Sequence, residues 1–231
     1  MDPFIPYDFQ PSSIEEVEQK SAKHLDEILK RRSIRSFSTY PIPKKVIENI
    51  LFAANSAPSG ANKQPWHFCA VSDQEIKTQI RKAAEEEEYT NYHGRMSDAW
   101  LEDLKPLGTD WEKPFLTDAP WLIVVFKRIY DVGVNGEIQK NYYVNESVGI
   151  ACGMLINAIH SAGLVTLTHT PSPMNFLQKI LQRPENEKPY LLLPIGFPAP
   201  NTLVPNILKK TDTSVIQIIE GSDSLEFITL P

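Results

Sequence analysis

The chain has 231 residues and a mass of 26.2 kDa, enough for one generous core or one domain with a substantial insertion. Hydrophobic residues at 42% and charged residues at 23% are the profile of a folded globular protein rather than a disordered one. A formal charge of −6 and a pI near 5.4 argue against a nucleic-acid partner, and no apolar run approaches the roughly 20 residues that span a bilayer.

The amino-terminal MDPFIPYDF lacks the basic start and apolar stretch of a signal peptide, so a cytoplasmic location is expected. Ser13-Ile14-Glu15-Glu16 has the form of a capping box, and Val17, Leu25, Ile28 and Leu29 behind it predict a helix over about 14–31. Where that helix runs out stands Arg31-Arg32-Ser33-Ile34-Arg35. Guanidinium forks suit phosphate oxygens, yet basic residues there also complement the negative end of a helix dipole. The local sequence leaves both readings open.

Pro43 opens a second helix, with Val46, Ile47, Ile50, Leu51 and Ala54 along one face, which ends at Ala57-Pro58. Pro58 to Asn62 is a turn-rich loop, and Trp66 to Val71 reads as a strand. From Ser72 a helix carrying Ile76 and Ile80 runs into the acidic block Glu85 to Glu88. Acidic runs are usually solvated surface, and Glu85, Glu86 and Glu87 are read so. Tyr89 to Pro114 has only partial periodicity, as expected of a lid insertion.

Trp121 to Phe126 is a continuous apolar run, the signature of a strand buried on both faces. Tyr143 to Ala162 is the clearest helix; its centre, Gly149-Ile150-Ala151-Cys152-Gly153, is small enough for a close neighbour, in a core or at a subunit interface. Gly163 stops it. Leu164 to Thr168 predicts a strand, Pro173 to about Gln182 a helix, and Leu191 to Gly196 a further strand. Beyond Pro205 come Lys209-Lys210 and a last strand over Ser214 to Ile219. Cys69 and Cys152 sit in apolar contexts and read as reduced thiols, and the five histidines have no ligand spacing, so no metal is expected.

Interleaved strands and helices indicate α/β or α+β packing. No GxGxxG and no GxxxxGK[ST] occurs, so a nucleotide-like cofactor would need side chains to hold its phosphate. RRSIRSF at 31–37, PSGANKQPW at 58–66 and GIACGMLINAIHSAGL leading into Thr166 to Pro171 together resemble the flavin-dependent nitroreductase superfamily. Glu88-Tyr89-Thr90-Asn91-Tyr92 followed by Trp111-Glu112-Lys113 resembles the lid of its iodotyrosine-dehalogenating branch. The likeness covers about 15–220.

The resemblance implies an α+β fold with a mixed central sheet flanked by helices, in one domain over 1–231 that forms an interwoven homodimer. The lid would span 86–114, and 205–231 would reach toward the partner. FMN would be the cofactor, held by Arg31, Arg32, Ser33, Ile34, Arg35, Ser59, Gly60, Thr168, His169, Thr170 and Lys209. Lys209 stands where the family usually has arginine, and Lys210 is its alternative. Thr170 would donate to flavin N5, favouring single-electron steps. A halotyrosine would be gripped by Glu88, Tyr92 and Lys113, with its phenolate on the Ala61 amide. Electrons would come from an external NAD(P)H-linked reductase. The competing expectations are a general NAD(P)H-dependent nitroreductase and a non-catalytic flavin or halotyrosine sensor.

Overall fold

The computed structural model describes residues 4–210 and 215–219. α1 (Ile14–Leu29) begins with the expected capping box: Ser13 Oγ accepts the Glu16 N–H, and the Glu16 carboxylate accepts the Ser13 N–H. α2 (Lys44–Asn55) follows Pro43 and leads through the 58–64 loop into β1 (Trp66–Val71). α3 (Gln74–Thr90) is capped by Asp73, whose carboxylate accepts the Ile76 N–H. The expected lid is mostly helical: a π turn at Asn91–Arg95, α4 (Asp98–Leu104), a 3-10 turn at Lys105–Leu107, then α5 (Phe115–Asp118).

β2 (Trp121–Arg128) is followed by a hairpin, β3 (Tyr130–Val132) and β4 (Ile138–Lys140), that the sequence reading missed. Its short, exposed strands carry no buried alternation to read. α6 (Val144–Ser161), β5 (Val165–Thr166), α7 (Asn175–Ile180) and β6 (Glu187–Gly196) complete the chain.

The main sheet has the order β1-β2-β6-β5 with every pair antiparallel. The mixed character expected reduces to one parallel bridge, Ser33 to Thr166. β5 is shorter than the expected 164–168 strand because the ladder breaks after Thr166; His169 then rejoins β6 opposite Leu192, exchanging both backbone hydrogen bonds. β6 starts earlier than expected, at Glu187, and a register shift between Val125 and Phe126 accommodates Pro189. Among the described residues the expected strand at 214–219 does not appear: 215–219 has no ladder partner among them, and Val215, Ile216, Ile218 and Ile219 are exposed. A β-branched run with no sheet edge beside it has nothing to pair with. Ser214 lies outside the described residues.

β2 explains the layering. Ile123 and Val125 face one cluster with Ile47, Ile50 and Ala54 of α2 and Val148, Ala151, Leu155 and Ile159 of α6. Leu122, Val124 and Phe126 face the other, with Ile80 and Ala84 of α3, Leu116 of α5 and Leu177 of α7. Helices therefore cover both faces, which is why the run is apolar without alternation. Cys152 is buried and Cys69 half-buried, and both are free.

One polar side chain ties the second layer together. Lys77 is buried, and its Nζ donates to the Ala119 carbonyl at 2.7 Å and the Thr117 carbonyl at 3.2 Å, closing the exposed end of α5. Burial pushes its pKa down, against the pull of Asp118. Lys77→Met keeps the volume, takes the donor from the Ala119 carbonyl and leaves the Thr117 carbonyl only the Gln74 Nε2 contact at 3.4 Å. Urea unfolding is expected to show a loss of about 2–3 kcal/mol.

Candidate active site

Backbone pairing decides how the arginine cluster is presented. The Ile34 N–H donates to the Thr166 carbonyl at 3.1 Å, which turns Ile34 into the core. Alternation then leaves Ser33 and Arg35 on the other side. Arg31, Arg32, Ser33, Arg35 and Lys209 line a cavity of about 320 Å³, closed by Leu29, Leu107, Pro205 and Ile207. An Arg32 Nη2 hydrogen bond to the Pro205 carbonyl anchors the carboxy-terminal segment there. Lys209 lines this cavity and Lys210 does not. Ile34 contributes its backbone, not its side chain, since it lines neither this cavity nor the one next to it.

Arg35 also lines a second cavity of about 180 Å³, roofed by Asn91, Tyr92, Met96, Trp100, Leu104 and Thr109. Its floor is Leu167, Thr168, His169, Thr170 and Ser172, with Phe115 at the side. Glu88 and Lys113 are both buried, with Oε2 and Nζ 3.6 Å apart. Lys113 Nζ also donates to the Asp110 carbonyl and lies 5.4 Å from the centre of the Tyr92 ring. Tyr92 donates its hydroxyl to the Thr109 carbonyl at 3.3 Å.

Burial acts on every titratable group in this cavity. It pushes Glu88 up and Lys113 down in pKa, and each is pulled back chiefly by the charge of the other. The close opposite charge offsets the cost of burying each. Tyr92 is pushed up by burial and remains a neutral phenol. His169 falls to about 3, first through burial and then through the cations Lys113 and Arg35. Its ring packs edge-on against Phe115, and its Nε2 has no hydrogen-bond partner.

Ser59, Gly60 and Ala61 lie elsewhere, at the start of α6. Gly60 N–H donates to Ser147 Oγ at 3.3 Å, and Ser59 Oγ accepts the Gln64 N–H at 2.9 Å. A Cβ on Gly60 would come within 2.8 Å of the Tyr143 ring, so only glycine fits. None of the three lines either cavity.

Glu85 corrects the reading of the acidic block as solvated surface. Its carboxylate accepts the Lys113 backbone N–H and the Arg81 Nε–H, each at 2.7 Å. No local sequence signal announces that contact, because the partner is 28 residues away. Glu87 pairs with Arg95 at 2.8 Å. A larger open groove of about 800 Å³ runs along α3 past Arg81, Glu85, Tyr89 and Trp111, but contains neither the Glu88–Lys113 pair nor Arg31, Arg32 and Arg35. Chemistry, not volume, places the site.

Comparison with known proteins places the chain in a family. The chain matches the Nitroreductase family over residues 28–197. It is 59% identical to the iodotyrosine deiodinase of Haliscomenobacter hydrossis, over 93% of this chain and 97% of that protein. The iodotyrosine deiodinase of Nematostella vectensis is 44% identical, over 89% of this chain and 79% of its own length. A crystal structure of oxidized iodotyrosine deiodinase bound to FMN and 3-iodo-L-tyrosine superposes with a TM-score of 0.70 and 29% identity, covering 87% of this chain and 99% of the other. Among the described residues, no helix is long and apolar enough to cross a membrane. With a family match across most of its length and a relative alike nearly end to end, this chain belongs to the nitroreductase family, in its iodotyrosine deiodinase branch.

Proposed function

We propose that this protein is an FMN-dependent reductive dehalogenase that converts 3-iodo-L-tyrosine, and other halotyrosines, to tyrosine and halide. The observation that carries the reading is the buried Glu88–Lys113 pair beneath the lid, beside Tyr92 and one arginine away from the basic cavity. An amino-acid zwitterion matches that pair charge for charge. Its ammonium goes to Glu88 and its carboxylate to Lys113, so each buried ion exchanges one partner for another at no net change in charge. Tyr92 adds a hydroxyl and an aromatic wall. The lid, read as 86–114, excludes water over the ring.

The side chains on hand fit FMN. Arg31, Arg32 and Arg35, with the Ser33 hydroxyl, form a donor set for a phosphate dianion. Thr168 and Thr170 are exposed on the cavity floor, and His169 Nε2 is a buried polar atom still lacking a partner. In this reading the Thr170 hydroxyl is the donor to flavin N5, and Lys209 stands at the pyrimidine edge. FMN, when bound and reduced, would supply the two electrons that, with one proton, replace carbon–iodine with carbon–hydrogen as iodide leaves. His169 stays neutral near pH 7, so it serves as a hydrogen-bonding group and not as an imidazolium acid.

The site is completed by a second copy of the chain. α1 has no buried residue, while Ile14, Val17 and Leu29 on it are exposed. On α6, Ile150 is exposed and nothing approaches within 4 Å of where a Gly153 Cβ would stand. Uncovered apolar faces of this extent mark an interface. An interwoven dimer would cover them, bring the Ser59–Gly60–Ala61 loop of one copy to the cavities of the other, and place the Ala61 amide against the substrate phenolate. In the same reading the extension over 205–231 reaches toward the partner; its residues 211–214 and 220–231 lie outside the described residues. The electron donor is an external reductase linked to NAD(P)H.

Sedimentation is expected to give twice the 26.2 kDa chain mass. The purified protein should be yellow, and iodotyrosine should quench its flavin fluorescence. Glu88→Gln should retain FMN and bind iodotyrosine about thirtyfold or more weakly, because the substrate ammonium is buried without its counter-ion. Unchanged affinity in that variant would sink the lid reading. Fast turnover of nitroaromatics with NADH, and none of iodotyrosine with dithionite, would favour the general nitroreductase instead.

His169 also sets a pH dependence. Its folded pKa of about 3 lies below the ordinary 6.5, so between those values the unfolded chain binds more protons. Stability therefore falls as pH drops through 6.5 toward 3. Urea unfolding at pH 7 and pH 5 is expected to differ by about 2 kcal/mol from this group, a difference that His169→Gln should remove.

A further inference from the structure

We infer that Glu85, braced by Arg81, is a positioning residue that aims the Lys113 ammonium at the substrate head group; this rests on the reading of the lid cavity given above. Lys77, Arg81 and Glu85 recur every four residues on α3 and so share one face. All three reach the same short stretch, 113–119. Lys77 holds the Thr117 and Ala119 carbonyls, Arg81 Nη1 donates to Thr117 Oγ1 at 2.9 Å, and Glu85 takes the Lys113 N–H at 2.7 Å. Glu88, one turn further along the same face, meets the Lys113 side chain.

Lys113 is thus attached to α3 twice, by its backbone to Glu85 and by its Nζ to Glu88. The second attachment is the one a zwitterion must exchange, because Glu88 then turns to the substrate ammonium. The first survives that exchange. Without it, nothing on α3 would fix the direction of Lys113 once its ammonium had moved to the substrate carboxylate. Pro114, the next residue, has no N–H to offer, so the Lys113 amide is the donor through which this corner can be held. A charged acceptor suits the task, since Arg81 Nε and the Lys113 N–H converge on the same oxygen, Oε1.

The Arg81–Glu85 pair is not there mainly for stability. Its side chains keep 32% and 20% of their exposure, and pairs this open contribute little to folding. Its effect is expected in selectivity, which a merely structural role would not move.

The test uses the FMN-loaded protein, titrated with 3-iodo-L-tyrosine and with 2-iodophenol, which has the aryl iodide and no head group, while flavin fluorescence is followed. Glu85→Ala is expected to weaken iodotyrosine binding about tenfold and 2-iodophenol binding less than about twofold, collapsing the preference for the zwitterion. Glu85→Gln keeps an acceptor for the Lys113 N–H and should restore most of that preference. Arg81→Leu removes the brace, together with its hydrogen bond to Thr117 Oγ1, and leaves Glu85 in place; it should shift the preference the same way by a smaller factor, which keeps the test open should Glu85→Ala fail to fold. Equal loss for both ligands, or no loss for either, overturns the inference. Wild-type protein indifferent to iodotyrosine would instead overturn the functional reading, before any variant is compared.

Discussion

A carboxylate and an ammonium withdrawn from water side by side constrain this half of the molecule. Removing either charge from solvent is costly, and only close opposition makes the burial of Glu88 and Lys113 tolerable. That opposition joins residues from two places, the end of α3 and the approach to α5, with the whole lid between them. It needs α3 to stay helical through Thr90, and it needs the return segment to arrive at a fixed height along the helix. Asn91 pins the first requirement by donating to the Ser172 carbonyl at 3.0 Å. The aromatic contact of Tyr89 with Trp111, at 5.3 Å, closes the lid's two ends on each other. Helices in the lid follow from this: a chain tied at both ends over a cavity satisfies its own backbone most simply by coiling.

The arginine cluster is organised by a different constraint, the sheet. Its residues are basic at a helix end, where the dipole alone would welcome them. What directs them into a cavity is the pairing of Ile34 with Thr166, which extends the backbone and points neighbouring side chains to opposite sides. The same strand region presents Thr168, His169 and Thr170 directly after Thr166, where the ladder to β6 breaks and resumes at His169. The phosphate-binding and ring-facing roles proposed for these residues thus trace to one structural origin at the edge of the sheet, and Arg35 is the residue common to both cavities.

Much of this was legible in the residues themselves. The run Trp121 to Phe126 could only be a doubly covered strand, and Ser13 with Glu16 announced the start of α1 through a purely local exchange of hydrogen bonds. Glu88, Tyr92 and Lys113 were legible as a group only through the family resemblance, since nothing local says that residues 25 apart share a salt bridge. Glu85 was misread for the same reason, its neighbours in sequence being three more glutamates. The run at 214–219 misled in the opposite direction: β-branched composition signals a strand only where an edge is waiting. Conversely, the β3–β4 hairpin forms from residues too exposed to leave a pattern.

The loop after α2 is strained. Ala61, Asn62 and Gln64 all have positive φ, at 50°, 52° and 46°, where side chains other than glycine cost about 1–3 kcal/mol each. Such a conformation persists because it is over-determined: Ser59 Oγ receives Gln64, the Ser59 carbonyl receives Asn62, the Gly60 carbonyl receives Lys63, and Ser147 receives Gly60. The hydrogen bonds run inward, to the loop itself and to the start of α6, while Ala61 is left exposed at the apex. Rigidity of this kind does nothing for the core, whose clusters contain none of residues 59–64. It is the arrangement required if a backbone amide is to meet a phenolate carried on another copy of the chain. A donor held in place beforehand loses no entropy on binding and discriminates an ionised oxygen from a neutral one. The strain in this loop and the apolar faces left bare on α1 and α6 are both accounted for by the proposed dimer.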